Sequence, residues 1–396
     1  MHMSISGNFN WKNIILLMIS QAIFMIGTGT IIATSPIIGK SLANNASLAT
    51  LPISFQYLAT MLVLIPVAVL IRKYGYANAF ATGALLGAIG MALSALSIII
   101  NSFTLFTACK TFIGGHNAVS QYYRFAAAES VSPAHKTTAI SLTLLGGIIA
   151  AFCGPSLAQA TAQLTQQPFT ATFILLTGLT LITAFIIRYL QIPQQPDQSS
   201  TAAKRPYSII IKQPAFLIAV TCSAVGYGVM NYLMVMAPLV LDAQRCSFAV
   251  AANVLQWHLV AMFLPSLFTG WLSKVFGLST RTMTGAILLI LSILTNLQMP
   301  GLHYFTGSYI LLGVGWNFLY VGGSALLTTT YRPAERESIQ AIHDTIVYVV
   351  IALSSLLAGT TFYKYGWRTI NWTVLPLPFI ALFATLWYTL YQHRKK

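Results

Sequence analysis

FTLFTACKTFIGGHNAVSQYYRFAAAESVSP, residues 103–133, is long and apolar enough to cross a bilayer as a helix, for which about 20 mostly apolar residues suffice. It nevertheless carries Lys110 and Arg124. At about 100° per residue, Lys110, Asn117, Gln121 and Arg124 share a narrow sector of one helical face, which gives the segment a polar stripe. Ionisable groups at membrane depth are costly and normally face a bundle interior or a water-filled cavity. The stretch is therefore expected to line an aqueous route through a membrane protein.

Composition agrees with that setting. The 396 residues are 56% hydrophobic and only 7% charged, with a mean hydropathy of +0.74, whereas soluble domains are about 25% charged. A formal net charge of +15 would suggest nucleic acid in a soluble protein. Here the orientation rule for membrane helices explains it, and no nucleic-acid partner is expected. Cys109, Cys153, Cys222 and Cys246 are scattered without a CxxC pair, so neither a disulfide framework nor a zinc site is indicated. The apolar stretch between Lys12 and Lys40 exceeds the roughly 7–15-residue core of a signal peptide and is expected to stay as a membrane helix.

Charged and turn-forming residues divide the chain into twelve expected helices, at 13–38, 48–71, 78–100, 103–128, 137–161, 168–190, 214–241, 248–273, 281–299, 304–330, 337–362 and 369–391. With the N-terminus inside, the outer loops hold only Lys40, Arg245, Lys364 and Arg368. Lys110 and Arg124 stay within the membrane, and the other fifteen of the 21 basic residues fall on the inner side. The imbalance puts both termini in the cytoplasm, as expected for a multi-pass inner (plasma) membrane protein.

The one long polar stretch, QIPQQPDQSSTAAKRPYSIIIKQP (191–214), reads as a cytoplasmic linker. It separates a six-helix bundle at 1–190 from a second at 214–396, with 191–213 between them. The halves resemble each other. IRKYGY (71–76) matches SKVFGL (273–278) at an offset of 202, and VSPAHK (131–136) matches YRPAER (331–336) at an offset of 200. Two matches at nearly one offset indicate an internal repeat, a plan known among transporters.

Gly270-Trp-Leu-Ser-Lys274-Val-Phe-Gly277 and its twin Ala68-Val-Leu-Ile-Arg72-Lys73-Tyr74-Gly75 resemble the G-x-x-x-D-R-x-G loop of the major facilitator superfamily, with the acidic residue replaced by Lys274 and Arg72. Ala150-x-x-x-Gly154-Pro155-x-x-Ala158 is similar to the G-x-x-x-G-P-x-x-G motif of its drug and proton antiporters. The phrases RFAAAES, LQWH, GWNFLYVGG and YRPAER look like a bacterial branch of that superfamily. The resemblance covers the whole chain and implies an all-α membrane protein of twelve transmembrane helices in two pseudo-symmetric six-helix bundles. It also implies alternating access about a central cavity. On the same footing Arg72, Gly75, Lys274, Gly277, Gly154 and Pro155 are expected at gating positions.

Several residues carry chemistry of their own. Lys110, about 10 Å below the outer boundary at 1.5 Å per residue, either snorkels outward or binds an anionic group. Arg124 either braces helix-end carbonyls or presents its planar fork to a carboxylate. Asp344, two turns into the eleventh helix beside His343 and one turn after Gln340, is placed to load and unload a proton. Its alternative role is a permanent pair with a cation such as Arg124. Glu129 lies near the inner end of the fourth helix and belongs either with the proton-coupling acids or with the cytoplasmic interface. His116 and His258 are mid-membrane histidines, each a hydrogen-bonded core residue or a ligand. Tyr227, Asn231, Trp316, Asn317 and Tyr320 are candidate cavity walls or plain packing, and Pro238 should loosen the seventh helix near its outer end, which makes it a further gating candidate.

No phosphate loop, metal cluster or enzyme constellation appears, and no cofactor is expected. The combination points to a proton-coupled secondary transporter, monomeric, moving a small organic and anionic solute such as a carboxylate metabolite or siderophore. The substrate-binding set is Arg124, Lys110, Asn117, Gln121, Tyr227, Asn231, His258, Trp316, Asn317 and Tyr320. The proton-coupling set is Asp344, His343 and Glu129. The alternatives are a multidrug/proton antiporter and a receptor or scaffold without transport.

Overall fold

The computed structural model describes residues 10–132, 135–192, 205–298 and 301–394, and within them every long regular element is helical. Most of the linker, Pro133-Ala134 and the Lys274 side chain lie outside the described residues. α1 (Trp11–Leu42) is the first expected span. The second and third form one run, α2 (Leu51–Ile99), broken at Gly75. The fourth is α3 (Phe103–Ser120), followed by α4 (Tyr123–Glu129). Then come α5 (Lys136–Thr161) and α6 (Thr170–Ile186).

Within the linker lies a short α7 (Tyr207–Ile211), and beyond it come α8 (Pro214–Met234), α9 (Ala237–Ala243) and α10 (Phe248–Phe263). α11 (Thr269–Gln298) is broken at Gly277. α12 (Leu302–Trp316) runs through a π-helical segment, Asn317–Val321, into α13 (Gly322–Leu327). α14 (Arg336–Val374), broken at Gly366, and α15 (Pro376–His393) end the chain.

Among the described residues, nine runs are long and apolar enough to cross a membrane. Two of them, Ala46–Ile99 and Ser338–Gln392, contain two spans each, with Gly75 and Gly366 as the breaks. The polar Phe103–Glu129 stretch lies outside those nine and supplies the twelfth span.

The internal repeat reappears in the backbone. Gly75 has φ 79° and ψ 167°, and Gly277, 202 positions on, has φ 68° and ψ 167°. Only glycine takes that conformation without strain. The same offset recurs in packing. A methyl group added at Gly83 would come within 2.6 Å of Val119, and one at Gly285 within 2.8 Å of the backbone of Leu319. Each absent side chain lets two helices approach closely.

The described residues form two compact units. One is drawn from Met1–Thr34 and Leu58–Pro196, the other from Ser35–Tyr57 and Asp197–Lys396. In the second unit, Ile53 and Tyr57 share an apolar cluster with Val235, Val347 and Ile351. Lys40 Nζ meets Asp242 Oδ2 at 2.7 Å, and the Gly359 N–H donates to Thr50 Oγ1 at 3.2 Å.

Several expected helices prove to be composite. The fourth is interrupted at Gln121–Tyr122, where Ser120 Oγ donates back to the His116 carbonyl at 2.9 Å, a bond that competes with the helical ladder. Tyr122 OH is drawn to the Leu64 carbonyl at 3.1 Å. The seventh is interrupted at Val235–Met236 and resumes at Ala237. Pro238 sits in that first turn, where a missing N–H costs nothing. The tenth holds the π segment.

Candidate functional site

In the first unit the opening stretch begins with a cap, Ser102 Oγ accepting from the Leu105 N–H at 3.2 Å. Lys110, one residue beyond two helical turns, is fully buried. Its Nζ lies 4.3 Å from the centre of the Phe106 ring and 4.5 Å from that of Phe173 on α6. The expectation that Lys110 snorkels outward or faces an aqueous route is corrected here. Phe106 stands one turn before it, and α6 brings Phe173 against the same face, so two aromatic rings enclose the amine.

Asn117 is buried, whereas Gln121 and Arg124 are half-buried. Gln121 and Tyr122 interrupt the helix between Asn117 and Arg124. The Arg124 guanidinium lies 4.9 Å from the Phe125 ring centre, and its Nε has no acceptor among the described residues. His116 packs edge-on against Phe24, with ring centroids 5.5 Å apart. Glu129, at the end of α4, is exposed, as is Arg72. Pro155 lies inside α5, and the Gly154 carbonyl accepts from Thr30 Oγ1 on α1 at 2.9 Å.

In the second unit the sequence candidates gather more closely. Trp316 and Tyr320 stack with centroids 5.1 Å apart and planes 15° from parallel. Tyr227 of α8 stands edge-on to both, 5.4 Å from Trp316 and 5.1 Å from Tyr320. Phe263 of α10 closes a further side at 6.2 Å. Such edge-to-face and offset contacts satisfy the ring quadrupoles. Asn317 anchors the π segment that carries Tyr320, donating from Nδ2 to the Met262 carbonyl at 2.7 Å and to Ser266 Oγ at 2.6 Å. Phe263 is the residue that sequence reasoning missed, because nothing in LQWHLVAMF marks one phenylalanine from its apolar neighbours.

Two other candidates serve packing. Asn231 Nδ2 donates to Ser354 Oγ, Ser355 Oγ and the Ile351 carbonyl at 2.8, 2.7 and 3.2 Å, tying α8 to α14. His258 is buried, with Nδ1 2.7 Å from the Tyr309 carbonyl. An N–H on Nδ1 must be the donor there.

His343 Nδ1 lies 2.9 Å from Asp344 Oδ1, and the two side chains are 2% and 34% exposed. A carboxylate can only accept, so Nδ1–H donates. His343 Nε2 is buried without a partner among the described residues. Gln340 Nε2 donates to Tyr331 OH at 2.8 Å.

A second charged group, unexpected from sequence, sits at the start of α14. Glu335 is buried and accepts from the Arg205 N–H and Nε at 2.9 Å each, from Arg205 Nη2 at 2.6 Å and from the Arg332 N–H at 2.9 Å. Arg205 Nη2 also donates to the Thr330 carbonyl at 3.0 Å. The Arg205 guanidinium, helped by the two backbone donors, holds the Glu335 carboxyl far below the usual carboxylate range. Glu335 in turn raises Arg205.

The sequence matches the profile described as Major Facilitator Superfamily over residues 17–316 and 246–396. It is 33% identical over 375 residues to the riboflavin transporter RfnT of Brucella anthropi, covering 94% of both chains. It is 23% identical over 395 residues to an uncharacterised MFS-type transporter, YddS, of Bacillus subtilis, covering 95% of this chain and 91% of that one. A bacterial homolog of the human lysosomal transporter Spinster, in an inward-facing and unoccupied conformation, superposes with a TM-score of 0.74 at 14% identity, covering 96% of this chain and 97% of the other. These relatives are transporters rather than enzymes, and the chain is a multi-pass membrane protein that belongs to the Major Facilitator Superfamily.

Proposed function

We propose that the protein is a proton-coupled secondary transporter for a planar heteroaromatic solute of the riboflavin class, working by alternating access in the inner membrane with both termini in the cytoplasm. The observation that carries this reading is the cluster of Tyr227, Phe263, Trp316 and Tyr320. Aromatic faces bind flat ring systems through stacking worth about 1–3 kcal/mol per ring. The 33% identical relative is named for riboflavin, whose tricyclic ring and uncharged ribityl chain suit such a wall. An organic anion is the less favoured solute, since Lys110 is enclosed by Phe106 and Phe173 and Arg124 is left to supply the charge.

The His343–Asp344 pair supports the coupling role. With Nδ1–H committed to the carboxylate, a proton arriving at Nε2 yields an imidazolium already beside its counter-ion. That lowers the cost of carrying a charge at membrane depth.

Uptake of radiolabelled riboflavin by proteoliposomes holding the purified protein tests the reading. Transport should be saturable and driven by an imposed proton gradient. Tyr227→Ala should reduce uptake roughly tenfold through loss of one stacking wall. Absence of riboflavin flux in either direction would overturn the substrate class, and net loss from preloaded vesicles would assign export.

A further inference from the structure

Trp316 is 6% exposed, and its Nε1 has no hydrogen-bond partner among the described residues. Buried donors in folded proteins are nearly always paired, so one left over calls for a reason. Tryptophan in an aromatic cluster normally finds an acceptor for its N–H. Here the surrounding groups are ring faces and edges: Tyr320 stacked on it, Tyr227 and Phe263 edge-on.

The position is also held tightly. Trp316 is the last residue before the π segment, a backbone feature that is rare and concentrated at functional sites. Asn317 fixes that segment to α10 through two short hydrogen bonds. On the α8 side, a methyl group at Gly226 would come within 3.2 Å of the Leu319 side chain and 3.4 Å of the Tyr320 nitrogen. The rings are thus set by packing on two sides, and the one polar atom that Trp316 brings is left unused.

We propose that Trp316 Nε1 donates a hydrogen bond to a carbonyl oxygen on the ring edge of the transported solute, so that the site selects flat rings bearing an edge acceptor over flat rings without one. This rests on the riboflavin-class reading, because isoalloxazine carries carbonyl oxygens on its pyrimidine edge. Stacking alone tolerates any flat ring, since every such ring has a π face. A site that presents a donor rejects analogues lacking the acceptor, because their binding leaves that donor unpaired.

The test compares two probes on the full-length protein in detergent: riboflavin, and anthracene, a three-ring plane without an edge acceptor. Trp316→Phe keeps a stacking ring and removes the donor. It should weaken riboflavin binding about tenfold and leave the anthracene probe within about twofold. If Trp316→Phe fails to fold, benzothienylalanine at position 316, which swaps only the N–H for sulfur, gives the same comparison. Unchanged riboflavin affinity in the folded variant overturns this inference and leaves the riboflavin-class reading standing. Equal weakening of both probes overturns it too, because packing and not the donor would then be lost. Wild-type protein that does not bind riboflavin at all brings down both.

Discussion

Glu335→Ala should lower the thermal unfolding midpoint of the detergent-solubilised protein by at least several degrees, more than alanine at the exposed Glu129. Four hydrogen bonds to the carboxylate are lost at once, from the Arg205 N–H, Nε and Nη2 and the Arg332 N–H. Removing one partner of an enclosed ion pair is far more damaging than never having built it. The pair also joins residue 205, within the linker, to the start of α14. Its loss should therefore speed proteolysis near residue 205.

The effect has a defined pH dependence. The folded-state pKa of Glu335 is depressed, so its contribution is fully present above the unfolded carboxylate value of about 4.3 and is lost as pH falls below it. Arg205 is shifted the other way, upward. Its contribution holds up to the ordinary arginine range and disappears only above it. The stability gap between wild type and Glu335→Ala should be flat from pH 6 to 9 and should narrow on acidification below about pH 4. A midpoint unchanged at pH 7, or a gap that does not narrow in acid, would contradict this account of the cluster.

Asp344→Asn should abolish accumulation of solute against a gradient, leaving a steady-state inside-to-outside ratio of about one, while equilibrium exchange persists. Asparagine still offers His343 Nδ1 an acceptor, so the local geometry at 2.9 Å can survive. It cannot, however, hold a negative charge against which an imidazolium would form. Uptake under an imposed pH gradient, compared with counterflow at equal pH in the same vesicles, separates the two activities. Full gradient-driven accumulation in the variant would remove Asp344 from the coupling step.

Much of the architecture was legible in the residues. Apolar runs of membrane length and the glycines of the two repeated loops follow from local chemistry, and local chemistry is what a sequence displays. Pairings between distant positions were not legible. Arg205 and Glu335 are 130 residues apart, and Lys40 and Asp242 are 202 apart. Nothing in either neighbourhood names the partner.

The candidate site lies between these cases. Tyr227, Trp316 and Tyr320 stand out as aromatic residues in helices with polar neighbours. Their convergence depends on the rotation of α8 against α12 and on a π turn that periodicity at 3.6 residues cannot anticipate. Lys110 misled for a related reason. A helical wheel orders residues on their own helix, but the phenylalanine that covers the amine arrives from α6.

Gly277 and Gly366 have positive φ, yet a methyl group added at either would meet nothing within 4 Å. What glycine supplies at these corners is freedom from chirality and not room. L-Alanine there would be strained, whereas D-alanine, introduced by semisynthesis, would fit the same corner and remove unfolded-chain entropy. The breaks between spans could thus be stiffened by mirror-image residues with the rest of the protein left untouched.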